Sequence, residues 1–140
     1  MNQRTMRTNL LFVYGTLMKG YGENWQARAG ARLVGRGRII GKLYDLGEFP
    51  GAVAGSKFRS HIHGEVYRLD NVERATALLD EYEEFQPSRP LRSLFVRREL
   101  PVTMEDGTRR LAWVYVYNRP VRESALIPSG DYRERMSSES

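Results

Sequence analysis

Apolar residues fall along the chain in short runs, and the period of those runs changes part-way. Asn9 to Tyr14 is rich in β-formers and is ended abruptly by Gly15, which predicts a buried first strand. From Ala31 to Tyr44, β-branched residues are mixed with glycines at 35, 37 and 41. That mixture predicts a bent strand pair or bulges, since interior glycine permits kinks and close backbone approach. Asp45 to Gly55 has no steady period and repeats turn formers, so it reads as a loop, and loops of this size often line sites. His61 to Leu69 alternates, with Ile62, Val66 and Leu69 apolar, and predicts a strand.

After Leu69 the period becomes helical. Asp70 and Glu73 have the spacing of a capping box, and Val72, Ala75, Leu78, Leu79 and Tyr82 recur every three or four residues. A helix over about 71–83 follows, with that set as its core face, and Pro87 and Pro90 prevent its continuation. Phe95 to Thr103 and Thr108 to Asn118 predict a hairpin turning at Met104-Glu105-Asp106-Gly107. A short helical or irregular piece lies near 23–29. Four to six strands with one clear helix indicate an α+β fold rather than βαβ repeats. A length of 140 residues suits one domain over 1–140, with a core of about 9–132 and a polar tail of about 133–140.

Composition narrows the chemistry. The chain has 0 cysteines, which excludes disulfides, thiolate catalysis and cysteine-ligated metal. Its apolar runs are too short for a membrane span, and the one behind Arg4 and Arg7 stops too soon for a signal peptide. A cytoplasmic protein with no membrane partner is expected. The net charge of +5 comes mainly from arginines, such as Arg36, Arg38, Arg97, Arg98, Arg109 and Arg110, in alternating stretches that read as solvated strand faces. No nucleic-acid motif accompanies them, so no nucleic-acid partner is expected. His61 and His63 share a strand face with Glu65, but no further histidine or cysteine completes a metal site. Nucleophile-elbow, P-loop and dinucleotide patterns are missing.

Two segments remain as candidates for chemistry. In Asp80-Glu81-Tyr82-Glu83-Glu84, Glu83 lies four residues after Leu79 at the edge of the apolar stripe. Glu81 points nearly opposite, and Asp80 and Glu84 lie further round. A Glu83 drawn out of water has a raised pKa and becomes a better base near neutral pH; a Glu83 that merely ends a solvated acidic helix fits the same pattern. Tyr14-Gly15-Thr16-Leu17 ends the first strand. Its glycine permits a sharp turn whose free backbone N–H groups form a nest for a carboxylate or oxyanion, and an ordinary strand-end turn fits equally.

In order along the chain, Val13-Tyr14-Gly15-Thr16-Leu17, Gly64-Glu65-Val66-Tyr67, Leu79-Asp80-Glu81-Tyr82-Glu83, Phe95-Val96-Arg97, Ala112-Trp113-Val114-Tyr115 and Ile127-Pro128-Ser129-Gly130-Asp131-Tyr132 resemble the gamma-glutamylcyclotransferase-like family. That family includes the gamma-glutamylamine cyclotransferases and the AIG2-like proteins. The resemblance implies a compact mixed-sheet barrel with flanking helices around a single cavity, and no metal or organic cofactor. It implies that Tyr14, Gly15, Thr16 and Leu17 bind the glutamyl end of a small gamma-glutamyl substrate. Glu83 would be the catalytic glutamate, and 5-oxoproline and an amine the products. The chain departs from the family at Glu84, where glycine is frequent, and at Phe95, where tyrosine is, which leaves the substrate open. Tyr115 and Tyr117 either face the pocket or pack on strand faces. The alternative from another class is a barrel of this fold that binds a small ligand or partner without turnover.

Overall fold

The computed structural model describes residues 8–15, 25–47, 49–82, 88–89 and 92–133. Its strands are β1 (Leu10–Val13), β2 (Ala31–Asp45), β3 (Pro50–Ala54), β4 (His61–Leu69), β5 (Phe95–Met104), β6 (Arg109–Tyr117) and β7 (Leu126–Ile127). The helices α1 (Trp25–Ala29) and α2 (Val72–Tyr82) accompany them among the described residues. Strands β2, β4, β1, β6 and β5 are joined in that order, and β5 returns to β2, closing a five-strand barrel. All these pairings are antiparallel except that of β1 with β6.

Closure depends on two residue pairs, Gly37 with Met104 and Arg38 with Thr103. A Cβ at Gly37 would lie 2.7 Å from Val102 Cγ1 and 3.0 Å from the Thr103 carbonyl oxygen, so only glycine lets β5 come this close. The glycine-punctuated stretch is therefore one long strand with a register shift between Leu33 and Gly35, rather than a strand pair. Past Ile40, β2 leaves β4 and takes β3 and β7 as neighbours. The stretch 45–55, expected to be all loop, thus contains β3. Its run Pro-Gly-Ala-Val-Ala has too short an apolar signal to show as a strand, and pairing with Gly41–Asp45 supplies the hydrogen bonds.

The hairpin and the strand His61–Leu69 form as their periods predict, with Gly107 at φ +89° in the hairpin turn. The helix starts one residue later than expected: Asn71 Oδ1, not Asp70, accepts the Arg74 N–H, at 3.0 Å, and so caps it. Asp70 instead faces Arg32 at 3.7 Å on the surface.

The buried face of α2 also differs. Ala75, Thr76, Leu79 and Asp80 are buried, whereas Val72 and Leu78 are only partly so. The stripe is rotated toward residues that hydropathy reads as polar. Thr76 pays no desolvation penalty because its hydroxyl donates to the Val72 carbonyl at 2.7 Å. Asp80 is neutralised by partners from β5 and β6. Among the described residues, no helix is long and apolar enough to cross a membrane.

Candidate active site

Because β1 and β6 run parallel, with Leu11 opposite Trp113, their C-terminal ends reach the same end of the barrel. β5 starts there too, with Phe95 opposite Tyr117. Tyr14 and Gly15, immediately beyond β1, therefore sit beside Tyr115–Tyr117. The Tyr14 phenol is buried, donates to the Tyr115 carbonyl, and accepts the Ala52 N–H at 3.3 Å. Gly15 lies against β3: a Cβ there would be 2.6 Å from Pro50 Cγ. The neighbouring Gly51 is packed on Tyr117 in the same way, with 3.0 Å from its hypothetical Cβ to Tyr117 Cβ. Tyr117 meets the ring of Phe95 at 5.5 Å, and Phe95 meets Phe49 at 5.7 Å. The glycine turn is thus wedged between β3 and β6 beside an aromatic wall.

Helix α2 is brought to these strands by a charge pair. Arg97 Nε and one terminal nitrogen each donate at 3.0 Å to the two oxygens of Asp80, a bidentate arrangement. The Tyr115 hydroxyl donates to the same Asp80 Oδ1. The Arg97 guanidinium also lies 4.8 Å from the centre of the Trp113 ring, within cation–π range. Asp80 is 8% exposed, and with three donors on it the cost of removing its charge from water is offset.

Of the predicted site residues, Tyr14 and Gly15 are placed at this end of the barrel, while Thr16, Leu17 and Glu83 lie outside the described residues. Glu84 does so as well. Tyr115 sits with its hydroxyl on Asp80 and its carbonyl on Tyr14, and Tyr117 packs on Gly51. Asp80, set on the outward side by helical spacing, is the residue that sequence reasoning missed. Its signal lies in its partners: Arg97 and Tyr115 stand directly opposite each other in the β5–β6 register, a register that the hairpin prediction did not specify and that nothing linked to the helix.

A second buried carboxylate, Glu65 on β4, is 3% exposed. It accepts the Tyr67 hydroxyl at 3.0 Å and pairs with Arg133. Glu65 is therefore engaged toward the C-terminal segment rather than in a site with His61 and His63, and among the described residues no group of three metal-ligating side chains occurs. Burial pushes the Tyr67 phenol above its usual pKa; the Gln26 amide and the Arg133 charge oppose the rise, and Glu65 adds to it.

The sequence pattern of the family "Gamma-glutamyl cyclotransferase, AIG2-like" matches residues 11–134. The chain belongs to this family. It is 36% identical over 127 residues to the gamma-glutamylcyclotransferase family protein YtfP of Escherichia coli (strain K12), covering 89% of this chain and 96% of that one. It is also 36% identical over 110 residues to the gamma-L-glutamyl-butirosin B gamma-glutamyl cyclotransferase of Niallia circulans, covering 78% of this chain and 67% of that one. In three dimensions it is similar to an AIG2-like protein from Mus musculus, with a TM-score of 0.68, 26% identity, and coverage of 90% of this chain and 88% of that one. The α+β barrel is that of the gamma-glutamyl cyclotransferases, and the chain is an enzyme of the gamma-glutamylcyclotransferase kind.

Proposed function

We propose that this enzyme cyclises the gamma-glutamyl group of a small gamma-glutamyl amine or peptide to 5-oxoproline and releases the amine. The observation that carries this reading is the hydrogen-bonded path from Asp80 on α2, through Tyr115, to Tyr14 at the glycine turn. It ties the helix that leads into Glu83 to the loop proposed to hold the glutamyl end. The substrate's α-amine gives up a proton and its nitrogen attacks the γ-carbonyl carbon. The new C–N bond closes a five-membered ring, the amide C–N bond breaks, and the leaving nitrogen takes the proton. Glu83 is the carboxylate that accepts and returns that proton. Nucleophile and carbonyl already belong to one molecule, so the protein mainly has to hold them at attack distance and stabilise the oxyanion with N–H groups of the loop 14–17.

The test is a screen of gamma-glutamyl amines and dipeptides for 5-oxoproline release by the unsubstituted enzyme and by Glu83→Gln. Release by the former and at least a hundredfold loss in the latter, on the order expected for a general base, supports the reading. No turnover of any compound, or equal rates in the two proteins, overturns it.

A further inference from the structure

We infer that Asp80 is a positioning residue for the reaction, acting with Arg97 and Tyr115 to set the end of α2 relative to the glycine turn. The inference rests on the proposed role of Glu83. Asp80 is in the last turn of the described helix, two residues before its final residue Tyr82, and Glu83 comes next in the chain. Side-chain bonds fix this turn to both strands of the β5–β6 hairpin: Arg97 holds both carboxylate oxygens and the Tyr115 hydroxyl holds one of them. The Arg97 side chain is confined in turn by the Trp113 ring, and the Trp113 indole N–H donates to the Thr8 carbonyl at 3.0 Å.

The same Tyr115 receives the Tyr14 phenol on its main-chain carbonyl. One residue of β6 therefore contacts both halves of the site, the helix end through its side chain and the glycine turn through its backbone. A hydrophobic stripe alone would let α2 slide or rotate on the barrel at small cost, since apolar contacts are non-directional. A bidentate pair plus a third donor accepts a single geometry. Proton transfer to a group placed by a helix end needs that geometry, because displacement by about 1 Å can cost on the order of a hundredfold in rate.

Two variants test this. Asp80→Asn keeps the shape and removes the charge; Tyr115→Phe removes one donor and leaves the ring, the main-chain bond to Tyr14 and the Arg97 pair in place. At a temperature where circular dichroism shows both fully folded, kcat for 5-oxoproline release falls roughly 10- to 100-fold in Asp80→Asn and roughly 3- to 10-fold in Tyr115→Phe. KM changes less than about twofold in each, because the glycine turn is untouched. The double variant loses no more than Asp80→Asn alone, as expected of groups acting through one carboxylate. An unaltered kcat in Tyr115→Phe, or losses that appear in KM instead, overturns the inference while leaving the proposed function standing. If Asp80→Asn does not fold, Tyr115→Phe alone decides by the same criteria. Absence of turnover in the unsubstituted enzyme overturns both.

Discussion

The Tyr14 phenol donates to the main-chain carbonyl of Tyr115 across the parallel β1–β6 seam. The same oxygen accepts the Ala52 N–H of β3. One hydroxyl thus satisfies two buried backbone groups from strands far apart in sequence and closes the end of the barrel where Gly15 turns. Tyr14→Phe removes one hydrogen bond from each of these groups, and a loss of about 1–3 kcal/mol is expected. In urea unfolding the midpoint should fall with the slope unchanged; an unchanged midpoint would show that water replaces the phenol there.

Gly15 tests the packing of the turn itself. Alanine would place its Cβ 2.6 Å from Pro50 Cγ and 3.0 Å from Cδ, and a proline ring on a paired strand has little room to yield. Gly15→Ala should cost roughly 1–3 kcal/mol of stability and raise KM for the gamma-glutamyl substrate, since the turn or β3 must move. A variant whose melting temperature and KM both match the parent would show that the turn is tolerant.

Glu65 and Arg133 form a pair with one deeply buried member. Their side chains are 4% and 30% exposed respectively, so Arg133→Ala removes the guanidinium paired with this buried carboxylate. A loss of about 3 kcal/mol is expected, at the low end for a broken buried pair because Arg133 is partly solvated. Adding Glu65→Gln to Arg133→Ala should restore part of that loss. A double-mutant cycle in denaturant measures the coupling directly, and a coupling of zero would mean that the pair does not hold the C-terminal segment.

Burial raises the Tyr67 pKa above the ordinary value of 10.0. At a pH between the two values the phenol of the unfolded chain is ionised while the folded one keeps its proton. Stability from this group is therefore complete below pH about 10 and is lost as pH rises through the folded pKa. Tyr67→Phe should flatten the fall of the unfolding free energy above pH 10. Spectroscopic titration of phenolate absorbance in the two proteins should show one high-pKa tyrosine missing from the variant.

The hairpin, the strand His61–Leu69 and the helix after it were legible in the sequence, because each has a local period and local turn or stop signals that agree. The loop Tyr14–Gly15 was legible as a break at the end of a buried run. Strand β3 was not: five residues beginning Pro-Gly carry little pattern, and the hydrogen bonds that make them a strand come from Gly41–Asp45. The single strand β2 was also hidden, since its glycines fit bends as well as they fit the close approach of Val102 and β5 that the structure imposes.

The chain by itself determined the hairpin, the strand and helix that precede it, the α+β class and the two segments from which chemistry was expected, because these depend on periods and residue types within a few turns of backbone. Tertiary structure alone decided which face of α2 is buried. Hydropathy assigns Asp80 to water, and only the arrival of Arg97 and Tyr115 from a hairpin distant in sequence makes its burial favourable. Long-range neutralisation of a charge has no local signature, so the contact that joins the helix to the glycine turn became visible only when the barrel had closed.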